Sequence, residues 1–337
     1  MRKAITFDPT HLATCLYHGV EVPVLPTAKS EIAAAGLKLY SPSASYTENP
    51  DPRSWEARVT RALQTGENIW VFGPAGGGKN QYFREYAART GRPTLEISFK
   101  EGASATSTIR RQDLRPQDGV VASVFEDGML AKACKGVQIE RGGEVITIPS
   151  LIVLSDADRY SGEDMEAIRE ALEIATGSGY LTCPITGELI PVAKGTQFVA
   201  TANSGVDGDP SGGMLTQPID ASIGNRFGVG VQTPAPTEEW EIDLLARAFG
   251  VERAEESTSK KSKVKLSPSE GSRLFSRDGE WIGGHQPTEA ELKVIVAAQR
   301  AARKAGEQMM ICGYSVSVRT CLALTKLYRV NLACFGE

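Results

Sequence analysis

Short apolar runs alternate with amphipathic stretches through the middle of the chain. Five runs rich in apolar and β-branched residues predict strands: 68–73, 94–99, 150–156, 196–203 and 226–233. The third, SLIVLSD, is almost continuously apolar, as expected of a strand that is covered on both faces. Strands that alternate with helices favour a parallel sheet with helices on both faces, and therefore an α/β fold.

Helical periodicity occupies the stretches between and after these strands. The stretch 79–90 has one apolar face, formed by Tyr82, Phe83, Tyr86 and Ala87. In 161–179, Ser161 and Asp164 predict an N-terminal cap ahead of a buried stripe of Met165, Ile168, Leu172 and Ala175. Two further helices are predicted near the end of the chain, at about 287–305 and 315–334, and the first begins with a proline and early acidic residues.

Two polar breaks suggest how the chain is organised. The Pro- and Ser-rich stretch SPSASYTENPDP ends an N-terminal extension, residues 1–51. The Ser- and Lys-rich stretch 252–272 predicts a flexible insertion. We therefore expect an α/β core over 52–236 and a helical domain over 237–337 that carries this insertion.

Composition narrows the possible classes of protein. The net charge of −4 over 337 residues gives no general attraction for nucleic acid. Apolar runs stay well below the roughly 20 residues that cross a bilayer, and the N-terminus lacks the apolar centre of a signal peptide. The six cysteines form no C-x-x-C pair and the three histidines no metal-ligand spacing. We expect a cytoplasmic protein with reduced thiols and no membrane partner.

A glycine-rich loop follows the first predicted strand and opens a helix. The segment VFGPAGGGKN nearly matches the phosphate-binding pattern G-x-x-x-x-G-K-[ST]. In such loops backbone N–H groups and the helix N-terminus bind phosphate, and the lysine reaches the terminal phosphates. The residues predicted to bind nucleotide are Gly73, Pro74, Ala75, Gly76, Gly77, Gly78, Lys79 and Asn80. Asn80 stands where a Ser or Thr hydroxyl normally binds Mg²⁺, so the loop predicts ATP binding more firmly than hydrolysis.

Further motifs follow the loop in a fixed order: LIVLSDADR, FVATANSG, IDASIGNRFG and YSVSVRTCLAL. Together with GPAGGGK, they resemble the AAA+ ATPases of the MoxR branch, and among these the CobS-like ATPase subunits of cobaltochelatase. The resemblance covers about 52–337 and implies a P-loop NTPase core with a parallel five-stranded sheet, followed by a small helical lid domain. It also implies ATP and Mg²⁺ as cofactors.

The resemblance assigns roles to single residues. Asn203 matches the polar residue, called sensor 1, that helps to place the attacking water. Arg226 matches the arginine that is presented to the neighbouring subunit's γ-phosphate. Arg319 matches the lid arginine, called sensor 2, that contacts the nucleotide.

The acidic motif departs from the family pattern of four apolar residues followed by Asp-Glu. One register puts Ser155 in the metal-supporting position and Asp156 in the water-activating position. The other puts Asp156 in the metal-supporting position and Ala157 where the base should be. The first is preferred, because Asp158 and Arg159 then also match. Asn80 and Ser155 are thus the predicted metal residues, both altered, and they could share a rearranged metal or water site.

The resemblance also implies an assembly and a partner. Family members bind ATP between subunits, most often in a homohexameric ring, and commonly act on a partner with a von Willebrand A domain. A predicted hairpin at 181–198 and an insertion around 102–128, with Arg110, Arg111 and Arg115, are expected to face the pore or the partner. Three functions stay open: an ATP-driven remodelling motor, a nucleotide-binding structural ring with little hydrolysis, and, disfavoured by the negative charge, a nucleic-acid-acting ATPase.

Overall fold

The computed structural model describes residues 12–27, 29–43, 46–98, 105–117, 120–141, 143–173, 179–206, 219–249, 251, 287–308 and 325. The chain divides into two compact units. The first takes residues 1–42, 48–73 and 78–233, and the second takes 43–47, 74–77 and 234–337. The predicted insertion 252–272, the predicted helix 315–334 and Arg319 lie outside the described residues, apart from residue 325, which is helical.

The first unit contains most of the secondary structure. Its strands are β1 Thr14–Tyr17, β2 Val20–Pro23, β3 Ile69–Phe72, β4 Thr94–Ile97, β5 Arg110–Gln117, β6 Val120–Asp127, β7 Val137–Arg141, β8 Glu144–Ile148, β9 Leu151–Ser155, β10 Tyr180–Thr182, β11 Leu189–Pro191, β12 Gln197–Ala202 and β13 Val229–Gln232. Its helices are α1 Lys29–Ala34, α2 Trp55–Thr65, α3 Lys79–Thr90, α4 Ala105–Ile109, α5 Met129–Lys135, α6 Gly162–Leu172 and α7 Ala221–Gly224.

The predicted parallel five-stranded sheet is confirmed. Its order is β13-β3-β12-β9-β4, and every neighbouring pair is parallel. The five apolar runs of the sequence supply these five strands, each shorter than its run. Because β3 lies between β12 and β13, whereas β4 lies at the far edge, the chain changes direction beside β3. In open α/β sheets, ligands bind at the carboxyl ends of the strands next to such a switch point.

Strands β9 and β12 lie in the interior of the sheet and are fully buried. All five residues of β9 and all six of β12 are buried, as a parallel sheet covered by helices requires. Helix α6 begins as the sequence predicts. Its cap is confirmed, because the Ser161 side chain accepts a hydrogen bond from the backbone N–H of Asp164 at 3.1 Å.

The apolar face of α6 packs into the protein. Met165, Ile168 and Leu172 belong to the main hydrophobic core.

The expected insertion around 102–128 forms the short helix α4 and the antiparallel hairpin β5–β6. Arg110, expected there as a contact for an acidic partner, is instead buried within the chain. Its guanidinium forms ion pairs with Asp127 and Glu188. Arg111, in contrast, is exposed. The partner-contact hypothesis therefore does not hold for Arg110, because two carboxylates of the same chain already neutralise it.

The hairpin expected at 181–198 is confirmed with shorter strands. β10 and β11 pair antiparallel through Leu181 and Ile190. Backbone hydrogen bonds between Cys183 and Glu188, and between Gly187 and Cys183, close the turn. The large apolar side chains of Tyr180, Ile185 and Leu189 are exposed on this hairpin.

The N-terminal residues pack against the helix that follows the glycine loop. The buried hydroxyl of Tyr17 donates to the carbonyl of Tyr82 on α3 at 2.9 Å. The backbone N–H of Leu25 donates to the carbonyl of Thr90 at 2.7 Å. Residue 38 forms an antiparallel bridge with Thr94 at the start of β4. Residues 12–42 thus brace α3 and the edge of the sheet.

The second unit contains helices α8 Glu238–Phe249 and α9 Glu289–Gln308. They share an apolar cluster that includes Ile242, Leu245, Leu292 and Val296. The start of α9 agrees with the prediction and is capped by Thr288 and Glu291, whose side chains accept hydrogen bonds from each other's backbone N–H groups. Helix α8 was not predicted, because its apolar face is brief and lies next to a polar break.

His18, at the turn between β1 and β2, is a buried histidine held in its neutral form. Its Nδ1 accepts a hydrogen bond from the backbone N–H of Asn49 at 2.9 Å, and its ring packs against Tyr17 and Tyr82. Burial lowers the pKa of His18 from 6.5 to about 4, against an opposing effect of Glu48.

We predict that acid destabilises the protein through His18. The folded-state pKa of about 4 is below the unfolded value of 6.5, so the unfolded chain binds more protons between these pH values. The free energy of unfolding should therefore fall as the pH drops through this window. His18→Asn, which tolerates the left-handed backbone at φ 49°, should reduce that dependence. Urea unfolding from pH 4 to 7 measures it, and an equally steep dependence in the variant would contradict the prediction.

Candidate functional site

The glycine loop begins at the carboxyl end of β3. Gly73 has φ 145°, and a Cβ there would lie 2.2 Å from the Thr233 hydroxyl oxygen, so only glycine fits. Gly78 precedes α3 with φ 80°, and nothing lies within 4 Å of the position that its Cβ would take. The N-cap residue of α3 therefore has no side chain to cap the helix, and a helix N-terminus of this kind is suited to binding an anion.

Lys79 is the first residue of α3 and is buried. Its Nζ donates a hydrogen bond to the Gly73 carbonyl at 2.6 Å. The lysine thus bridges the two ends of the loop through this hydrogen bond. A lysine at this position supplies a positive charge that the helix N-terminus alone provides only in part.

Asn80 contacts three neighbouring strands through its amide. Its Nδ2 donates to the Ser155 hydroxyl on β9 at 3.1 Å and to Glu96 Oε1 on β4 at 3.3 Å. Its Oδ1 accepts a hydrogen bond from the Thr201 hydroxyl on β12 at 2.7 Å. The two residues that depart from the family pattern, Asn80 and Ser155, are therefore in direct contact.

Glu96 brings a carboxylate to this position. Arg84, one turn further along α3, donates two hydrogen bonds to it, each 2.7 Å long. Burial is the largest single effect and raises the pKa of Glu96, but the hydrogen bonds and charge of Arg84, together with Lys38 and Ser155, outweigh it and hold the pKa below its ordinary value. The carboxylate is therefore ionised at neutral pH.

Asp156 and Asp158, two residues apart, lie in different surroundings. Asp156 directly follows β9, is exposed and has a left-handed backbone, φ 57°. Asp158 is buried, and its Oδ2 accepts hydrogen bonds from the backbone N–H groups of Asn203 and Ser204 at 2.9 and 3.2 Å. Of Ser155 and Asp156, the two residues considered for the metal-supporting position, it is Ser155 whose side chain contacts Asn80.

Arg226, the expected trans-acting arginine, is engaged within its own chain. Its guanidinium forms an ion pair with Glu173 and donates to the Ser222 carbonyl. Its side chain is 16% exposed. Arg319, the expected lid arginine, lies outside the described residues.

Three residues of this site were missed by sequence reasoning: Glu96, Arg84 and Thr201. Glu96 leaves a faint signal, because it is the one charged residue in the run TLEISF. Its position beside Asn80 follows from the strand order, in which β4 neighbours β9. Thr201 gives no sequence signal, since a threonine within a strand is ordinary.

The side chains fit a nucleotide phosphate and a hydrated magnesium ion. Open space at Gly78, the helix N-terminus and the Lys79 ammonium suit a phosphate. Glu96, Ser155 and Thr201 supply the oxygen atoms that magnesium prefers. Mg²⁺ keeps several waters and typically takes one or two carboxylates together with phosphates. In the part of the chain that the structure describes, no group of three or more His, Cys, Asp or Glu could hold a metal.

Among the described helices, none is long and apolar enough to cross a membrane.

Comparison with known proteins gives a limited set of relatives. No family model matches the chain. The aerobic cobaltochelatase subunit CobS of a Sinorhizobium species is 24% identical over 234 residues, which cover 67% of this chain and 66% of that protein. An uncharacterized protein of Staphylococcus saprophyticus is 25% identical over 166 residues, covering 49% of this chain and 55% of that protein. The chain thus spans between about half and two thirds of the length of these relatives.

Similar solved structures include NtrX from Brucella abortus and RuvB from Thermotoga maritima. NtrX has a TM-score of 0.47 at 12% identity, over 83% of this chain and 50% of that chain. A RuvB mutant has a TM-score of 0.37 at 13% identity, over 60% of this chain and 56% of that chain. The parallel sheet, the glycine loop and the sequence similarity to CobS together support an AAA+ ATPase with a nucleotide-binding P-loop.

We predict that Asp158 holds the end of β12 in place. Asp158→Ala leaves the partly buried N–H group of Asn203 and the buried N–H group of Ser204 without their acceptor, which should lower the free energy of unfolding by about 2–3 kcal/mol. Asp156→Asn is the matched control, because this residue is exposed, and it should change the free energy by less than about 0.5 kcal/mol. Urea denaturation measures both, and equal effects would contradict the prediction.

Proposed function

We propose that this chain is an AAA+ ATPase of the MoxR branch that binds ATP with Mg²⁺ and uses hydrolysis to remodel a protein partner. The observation that carries the proposal is the loop between Gly73 and Lys79, which follows β3 at the switch point of the sheet and opens α3 without a side-chain cap. Sequence similarity to CobS supports it.

Each candidate residue has a role in this proposal. The loop backbone and Lys79 bind the phosphates, and Asn203, which follows β12, helps to position the attacking water. Asp156 is the proposed water-activating carboxylate, and its exposure leaves it free to meet substrate. Arg226 and Arg319 stabilise the charge that develops on the transferred phosphoryl group. Magnesium, when bound, neutralises charge on the phosphates.

The proposed assembly is a homohexameric ring with ATP between subunits. The partner is a protein, and a von Willebrand A domain is the leading candidate by analogy with MoxR relatives. The similarity to CobS extends the proposal to a role as the ATPase subunit of a cobaltochelatase-type enzyme. The exposed Tyr180, Ile185 and Leu189 of the β10–β11 hairpin offer apolar contact area for such a partner.

We predict Mg²⁺-dependent phosphate release from ATP by the wild-type protein and its loss in Lys79→Ala. The substitution removes the only side-chain charge that the loop itself carries, so binding of the terminal phosphates should weaken. Phosphate release with and without Mg²⁺, together with sizing with and without ATP, checks this. Lys135→Ala, on helix α5 and outside the glycine loop, is the matched control. Turnover that Lys79→Ala leaves unchanged would rule out the proposal.

We also predict that Arg226→Ala blocks hydrolysis without blocking ATP binding, because the arginine acts on a neighbouring subunit's nucleotide. Mixing inactive Arg226→Ala with inactive Lys79→Ala subunits should then restore activity. In random one-to-one rings, about a quarter of the interfaces combine an intact lysine with an intact arginine. Recovery after mixing is measured as phosphate release. No recovery in rings shown to contain both variants would contradict a site shared between subunits.

A second candidate function is a nucleotide-binding structural ring with little hydrolysis. The observation that favours it is the contact between Asn80 and Ser155, which are bonded to each other where other family members bind magnesium. This function requires rings that assemble with ATP but release phosphate at background rate. It also requires a gain of turnover in the double variant Asn80→Thr/Ser155→Asp. Robust hydrolysis by the wild-type protein would eliminate it.

A further inference from the structure

The four side chains around the start of α3 form what we call the Asn80 cluster: Asn80, Glu96, Ser155 and Thr201. Each comes from a different element, namely α3, β4, β9 and β12. Within the cluster, Glu96 is the only charged side chain. The carboxylate that the acidic motif lacks at Ser155 is therefore present nearby, on the neighbouring strand.

The orientation of the Asn80 amide is determined by this carboxylate. An ionised carboxylate only accepts hydrogen bonds, so the amide nitrogen, and not the oxygen, must face Glu96. The Ser155 hydroxyl donates to the same carboxylate oxygen, Oε1, at 3.4 Å. Asn80 and Ser155 are thus both organised around Glu96.

Strand geometry explains how Glu96 reaches this point. β4 runs parallel to β9 and pairs Glu96 with Val153, two residues before Ser155. A glutamate has a longer side chain than an aspartate, and it extends from β4 toward the start of α3. Ser155 has a short side chain with no carboxylate, and the carboxylate of Glu96 lies beside its hydroxyl.

We propose that Glu96 is the carboxylate that supports magnesium at this nucleotide site, in place of the one that Ser155 lacks. The proposal rests on the proposed function, since it concerns the metal that accompanies ATP. It places Glu96 as a positioning residue that holds the water shell of a divalent cation. Arg84 then moderates the negative charge of Glu96 through its two hydrogen bonds.

The competing explanation is that Glu96 only forms a structural ion pair with Arg84. The two explanations make opposite predictions for Arg84. If Glu96 supports the metal, Arg84→Gln frees its negative charge and should strengthen metal binding, whereas Glu96→Gln should weaken it. If the pair is only structural, the two variants should behave alike. Arg84 is 42% exposed, so its replacement is expected to be tolerated.

The experiment measures the affinity of a fluorescent, non-hydrolysable ATP analogue in Mg²⁺ and again in EDTA. The ratio of the two affinities reports the coupling between metal and nucleotide. Glu96→Gln should lower this ratio about 10-fold, as loss of an outer-shell partner typically does, and leave the affinity in EDTA unchanged. Arg84→Gln should keep the ratio at or above the wild-type value.

Two further variants complete the test. Ser155→Asp in the Glu96→Gln background returns a carboxylate and should restore the ratio. Glu163→Gln, an exposed carboxylate on α6, is the matched control and should change nothing. Thermal unfolding confirms that each variant is folded. If Glu96→Gln does not fold, Arg84→Gln still tests the proposal. A ratio of Mg²⁺ to EDTA affinities below the wild-type ratio in Arg84→Gln would overturn it.

The possible failures are distinguishable. If the wild-type protein binds no nucleotide in either buffer, the proposed function itself fails. If it binds nucleotide, and Glu96→Gln keeps the wild-type ratio, only the assignment of Glu96 is overturned. A wild-type ratio near one would likewise overturn that assignment, because no metal would then be coupled to the nucleotide.

Discussion

The amide group of Asn80 links the first turn of α3 to three parallel strands. Its two ends bond to the side chains of Glu96, Ser155 and Thr201, so β4, β9 and β12 are tied to the helix that opens at the glycine loop. A serine or threonine has a shorter side chain with one donor hydrogen, whereas the Asn80 amide nitrogen donates to both Glu96 and Ser155. Asn80 is therefore the residue around which the side chains of this site are organised.

Asp156, Asp158 and Asn203 lie at the same edge of the sheet, after the ends of β9 and β12. Asp158 accepts hydrogen bonds from the backbone of Asn203 and Ser204 after β12. These hydrogen bonds fix the backbone position of Asn203. Asp156, two residues before Asp158, is exposed. Asp158 therefore serves the structure, whereas Asp156 is the proposed water-activating residue. Asp156 precedes a short 3₁₀ turn, Ala157–Arg159, and Asp158 lies within it, so two residues of one motif face different surroundings.

Much of the core was predictable because its signals are local. Apolar runs define the five strands, and Ser161 with Asp164 defines the start of α6. Glu96 could not be assigned, because its meaning depends on β4 being placed beside β9, a contact across more than fifty residues of sequence. Arg110 was misread for a similar reason, since its partner Glu188 is distant in sequence and is brought close by the hairpin β10–β11. Through-space pairing, unlike periodicity, leaves no pattern in a single sequence.

In the proposed site, Glu96 of the Asn80 cluster holds the water shell of the metal that accompanies a nucleotide bound at the glycine loop. A crystal structure with Mn²⁺ and a non-hydrolysable ATP analogue tests this most directly, because anomalous scattering locates the manganese. The account predicts phosphates at Gly78 and Lys79, and manganese whose bound waters contact Glu96. Manganese held by Asp156, with the Glu96 carboxylate keeping its present partners Arg84, Asn80, Ser155 and Tyr40 and contacting no metal-bound water, would contradict it.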